Sequence, residues 1–178
     1  MARYFGLFIV GLAAMCAAAT PGLAAPKKTD AKFFSKIDGR WKGPGEIVAG
    51  KYKGTRFVCD LEGTTPSNAM GMTLDGSCRV GMFSQEMKAE VKVESNSYSG
   101  SFLDGADGEG LDVIGGNVSA DRVVFTIKRK KLNGAMLARL ASENQMNVTI
   151  SVRVGEELVP VVGMKLSRID GTAVGSIR

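Results

Sequence analysis

Asp104, Asp107, Glu109 and Asp112 lie within one stretch, interleaved with Gly105, Gly108 and Gly110. Calcium takes several oxygen ligands, and glycine lets a chain curl around the ion. Residues 107–115 approach the glycine-rich calcium nonapeptide, but those motifs act as stacked arrays and this chain carries one copy. The EF-hand spacing fails as well, because the closing Glu is missing. The stretch therefore reads as an acidic hairpin loop, with calcium as the metal it would suit. No metal site is assigned and no cofactor is expected.

A second cluster, Lys128-Arg129-Lys130-Lys131, is the densest positive run. It suits an anionic surface such as lipid headgroups or acidic glycans of a cell envelope. No aromatic residue interleaves it, and the whole chain carries only +5, so a nucleic-acid partner is not expected. Histidine is absent from the 178 residues, which removes the ordinary Ser-His and Cys-His nucleophiles. The carboxylates sit on polar strand faces or in turns, with no pair in a setting that would raise a pKa for glycosidase chemistry. The chain reads as a non-enzyme.

Residues 1–24 follow the grammar of a secretory signal: Arg3, an apolar run from Phe5 to Ala19, then Pro21, Gly22 and small residues ending at Ala24. The apolar run is shorter than the roughly 18 residues of a membrane span. Met15 before Cys16 argues against a lipoprotein signal. A periplasmic or secreted protein is expected, with no membrane span after cleavage. The two remaining cysteines, Cys59 and Cys78, then read as a disulfide.

These residues need elements to hold them. Asp30, as an N-cap, with Phe33, Phe34 and Ile37 predicts a short helix stopped by Gly39. Beyond Gly39 the period changes from 3.6 to 2. The alternating sets are Phe57/Cys59/Leu61, Met70/Met72/Leu74, Cys78/Val80/Met82, Met87/Ala89/Val91/Val93, Val123/Phe125/Ile127, Val148/Ile150/Val152/Val154 and Leu158/Val162/Met164/Leu166. Asp75-Gly76 predicts a tight hairpin, Asn96 a second turn and Gly155 a third. From Asn133 to Asn144, Met136, Leu137, Leu140 and Ala141 fall on a helical stripe with Asn133 as N-cap, predicting one late helix.

The fold expected is all-β: an antiparallel meander closing into an eight- to nine-stranded barrel or flattened sandwich. It carries a short N-terminal helix and a helix near 133–144. The segments are a signal peptide at 1–24, an N-terminal segment at 25–38, the barrel domain at 39–170 and a tail at 171–178. A membrane barrel is disfavoured, since the runs fall short of the roughly 9–11 residues a spanning strand needs. If 55–62, 68–74 and 77–83 paired in simple order, Cys59 and Cys78 would be two strands, or roughly 9.5 Å, apart. Barrel curvature, or an excursion of 63–77 that makes the cysteine strands neighbours, would bring them together.

Gly39-Arg40-Trp41, after a short helical turn and opening the first strand, resembles the Gly-x-Trp signature of lipocalins and related calycin barrels. The resemblance implies that Trp41 seals one barrel end, beneath an arginine from the last strand that Arg168 matches by position. The function expected is a binding protein for a small apolar or amphipathic envelope ligand, with Trp41, Phe57, Met72, Met136 and Leu140 as candidate contacts. The late helix would place Met136 and Leu140 over one mouth as a lid. The alternative is an interaction or inhibitor module acting through surface loops.

Overall fold

The computed structural model describes residues 26, 27, 30–103 and 110–169, so the segment 1–24 lies outside the described residues. After a one-turn helix α1 (Ala31–Phe34), the chain runs through β1 (Gly39–Ile47), β2 (Arg56–Thr64), β3 (Gly71–Val80), β4 (Phe83–Glu94) and β5 (Ser97–Leu103). It continues through β6 (Leu111–Val118), β7 (Arg122–Arg129), β8 (Leu132–Ser142), β9 (Gln145–Val154) and β10 (Glu157–Arg168). Each strand pairs antiparallel with its sequence neighbours, and β10 closes on β1, with Trp41 opposite Arg168 and Gly45 opposite Met164. The result is a closed ten-stranded barrel, not eight or nine strands and not a sandwich.

Two segments change the count in opposite directions, one strand fewer at β3 and one more at β8, and β5 and β6, absent from the alternating sets, supply the excess. Asp75-Gly76 is not a turn. It lies inside β3, where Asp75 faces Glu62 and Lys88, and Gly76 faces Leu61 and Met87. Glycine is needed there because a Cβ would collide with the Asp60 carbonyl oxygen. The Met70/Met72/Leu74 and Cys78/Val80 runs therefore belong together, and β2 and β3 are direct neighbours. Cys59 stands opposite Cys78 in register, and the two form a disulfide with Cα atoms 4.0 Å apart. Residues 63–77 are not an excursion, since Gly63 and Thr64 pair with Leu74 and Thr73.

The helix expected near 133–144 is strand β8. Alanine and leucine carry strong helix propensity, but β7 and β9 offer a backbone ladder on both sides and tertiary pairing overrides it. Gly134, Met136, Ala138 and Leu140 point inward with period 2, whereas Leu137 turns outward and is 36% exposed. A bulge between Pro160 and Val162 likewise shifts the face of β10, so Leu158 is exposed while Val162, Met164 and Leu166 face in.

Outward positions carry charges such as Arg40, Lys42, Glu62, Glu90 and Arg139, the reverse of the lipid face of a membrane barrel. Hydrogen bonds from Arg40 hold the Asp60 carboxyl below its usual range on this outer face. No helix among the described residues is long and apolar enough to cross a membrane.

Candidate functional site

Among the described residues, one end of the barrel is stoppered and the other carries no cover. At the stoppered end α1 lies against the barrel with Phe33, Phe34 and Ile37 buried. Asp30 makes no capping hydrogen bond to α1. Its Oδ2 instead accepts from the Tyr98 hydroxyl at 2.7 Å and from the Lys27 amide at 2.9 Å, tying the segment before α1 to β5. Tyr98 packs between Phe34 and Phe125, with ring centroids 5.9 and 5.7 Å away. Burial, with Asp30 as its acceptor, pushes the Tyr98 phenol well above the usual tyrosine pKa.

Gly39 sits at φ 104, a conformation open to glycine, and turns the chain from the α1 segment into β1. Two residues on, buried Trp41 donates its indole N–H to the Ile37 carbonyl at 2.8 Å. The Arg168 guanidinium lies over the indole, 4.3 Å from the ring centroid. It donates to the carbonyls of Asp38, Lys36 (2.7 Å) and Glu143 (3.2 Å). One side chain of the last strand thus fastens the linker after α1, the first strand and the β8–β9 turn.

Above this floor the interior is hollow. A cavity of about 440 Å³ runs from Phe33 and Ile37 toward the opposite end of the strands, within the size range of small-molecule sites. Its wall includes Phe57, Phe102, Ile127, Val148 and the thioethers of Met72, Met87, Met136, Met146 and Met164. Cys78 also lines it, so the disulfide forms part of the inner wall. Unbranched methionines adapt to ligands of varied outline. Ala89 and Ala138 line the cavity too, and their small side chains help to keep the centre empty.

Of the candidate contacts, Phe57, Met72 and Met136 line the cavity. Trp41 and Leu140 do not: Trp41 lies in the floor, and Leu140 faces the core near the same end. Met136 and Leu140 form no lid, because both point inward from strand β8. The helical cover is α1, at the stoppered end. Asp112 is paired in β6 opposite Lys128, whereas Asp104, Asp107 and Glu109 lie outside the described residues. Among the described residues no cluster of His, Cys, Asp or Glu could hold a metal ion.

The basic run divides by alternation. Lys128 is outward and Lys130 and Lys131 form the β7–β8 turn, but Arg129 continues the inward set Val123, Phe125 and Ile127 and lines the cavity near its mouth. Gln85 similarly extends the inward set of β4. Arg129 escaped notice in the sequence as a member of a charged run, although a period-2 count carried one step further reaches it.

No protein-family model matches the chain, and no curated protein matches it either. Among solved structures, it is similar to the crystal structure of Rv2717c from M. tuberculosis, at 12% sequence identity and a TM-score of 0.56. The match covers 83% of this chain and 99% of that one, and what it shows is a shared barrel fold.

Proposed function

We propose that this protein is an exported, non-catalytic barrel that carries one small amphipathic molecule of the cell envelope. The observation that supports this reading most is the hollow interior of about 440 Å³ with its wall of aliphatic, aromatic and thioether side chains. Arg129 on the inward face near the mouth suits an anionic head, with the apolar tail directed toward Phe33 and Ile37. Export is supported by the signal-like residues 1–24 and by the Cys59–Cys78 bond, since disulfides persist outside the reducing cytosol. Kinship with lipocalin-like barrels belongs to the same proposal and rests on Gly39-x-Trp41 and the Arg168 stack.

The test is displacement of the neutral fluorophore N-phenyl-1-naphthylamine by dodecanoate and by dodecanol. Both should displace it from the wild-type protein. Arg129→Gln should weaken dodecanoate about tenfold or more and leave dodecanol nearly unchanged, as expected for loss of a charge-assisted hydrogen bond. Absence of fluorophore binding to the folded wild type would overturn the carrier reading. Equal effects on both ligands would remove Arg129 from it.

A further inference from the structure

We infer that the open mouth docks on an anionic phospholipid bilayer through two adjacent hairpin tips, β1–β2 and β3–β4. This extends the carrier reading by naming where its cargo would be exchanged. Met82 and Phe83, at the β3–β4 tip, are 94% and 81% exposed, and Tyr52 in the β1–β2 connection is 62% exposed. The two tips are neighbours because β2 pairs with β3, Val58 facing Arg79, and both chains run on from there to the same rim. Val58 and Val80, next to the tips, are also exposed.

Water-exposed aromatic and thioether side chains at paired turn tips gain nothing for the fold. They match what a bilayer interface accepts, an apolar body at headgroup depth. The cations are placed to accompany them. Lys51 and Lys53 flank Tyr52, with the Lys51 ammonium 5.4 Å from its ring centroid, and Arg79 precedes the β3–β4 tip. No Asp or Glu occurs in 47–55 or 76–85. Lys130 and Lys131 belong to a third turn of the same rim, between the β5–β6 and β9–β10 connections with their Asp104, Asp107, Glu109, Glu156 and Glu157, so the docking face is the side of the β1–β2 and β3–β4 tips. Basic residues near a surface are attracted to anionic lipid. The Phe57, Val80 and Gln85 positions of the cavity wall lie just behind these tips, so docking there would set the mouth against the lipid.

The experiment is co-sedimentation of the full mature chain with vesicles of phosphatidylcholine alone or with one quarter phosphatidylglycerol. Binding to the anionic vesicles should be at least tenfold stronger and should weaken at 0.5 M salt. Met82→Ser/Phe83→Ser and Lys51→Glu/Lys53→Glu should each reduce it at least tenfold. Both variants should retain wild-type circular dichroism and wild-type N-phenyl-1-naphthylamine affinity in solution. Failure of the wild type to bind anionic vesicles, or unchanged binding by both variants, would overturn the proposal. So would a concentration-dependent dimer that Met82→Ser/Phe83→Ser abolishes while vesicles are ignored, since the tips would then serve a second copy. Vesicle binding without fluorophore binding would leave the docking surface standing and remove the carrier reading instead.

Discussion

Tyr98 and Arg168 show how single side chains hold a hollow barrel shut at one end. Arg168 satisfies three backbone carbonyls while covering the Trp41 face, work that a lysine with a point charge could not share out the same way. Tyr98 does the same for the segment leading into α1 by donating to Asp30 from a buried position. Its raised pKa gives a pH signature with a definite sign. The folded state keeps the phenol proton beyond the point where the unfolded chain releases it, near pH 10. The stabilisation is therefore complete below about pH 10 and declines as pH rises above it. Urea unfolding should show Tyr98→Phe less stable than wild type by about 1–2 kcal/mol at pH 7, from loss of one buried hydrogen bond. By pH 11 the gap should shrink by about 1.4 kcal/mol. A gap that stays constant between pH 8 and 11 would mean that the phenol is not held in this way.

At the scale of elements, the β2–β3 pair carries a covalent cross-link between directly opposed residues 19 apart in sequence. Chain-entropy arguments put the stabilisation of such a loop at about 3 kcal/mol. Cys59→Ser/Cys78→Ser should lower unfolding stability by that order, and in wild type unfolded in denaturant without reductant neither Cys59 nor Cys78 should react as a free thiol. Detection of two free thiols would contradict the bond. This pairing also shows which parts of the fold were legible. Sets such as Met87/Ala89/Val91/Val93 alternate against Glu and Lys, so the strand and its inward face could be read directly. The Met70–Leu74 and Cys78–Met82 runs alternate equally well, but Asp75-Gly76 is a turn signal that only the close approach of Asp60 reinterprets. In β8, Ala135, Leu137 and Ala141 filled outward positions with apolar residues, so a helical stripe and a period-2 face coexisted. The ladder partners that decide between them lie in the adjoining strands β7 and β9, outside the segment in which the stripe is read. The cavity wall was partly legible for the same reason. Phe57 and Met72 sit in clear alternating runs, whereas Met146 and Ala138 become wall residues only once β8 and β9 are paired.

For the whole molecule, a barrel that closes with ten strands around small and flexible side chains has more room than its own residues fill. Closed barrels of about eight strands have interiors just large enough for side chains or one small ligand, and width grows with strand number. Ala138 lies on the inner wall between Val123 and Val148, where a larger side chain would project into open space instead of packed neighbours. Ala138→Phe should therefore escape most of the 1–3 kcal/mol that overpacking typically costs in a filled core. The melting temperature without ligand should stay level or rise. Ligand should act unequally on the two proteins: at 100-fold excess over Kd, dodecanoate should stabilise wild type by about 2.7 kcal/mol, and the filled variant by far less. Calorimetry of both proteins with and without dodecanoate reads the two effects separately. A variant that unfolds early and still responds fully to dodecanoate would show that the ligand lies elsewhere. Loss of the dodecanoate response with the fold retained would locate binding in the space that the ten strands leave between Trp41 and the mouth.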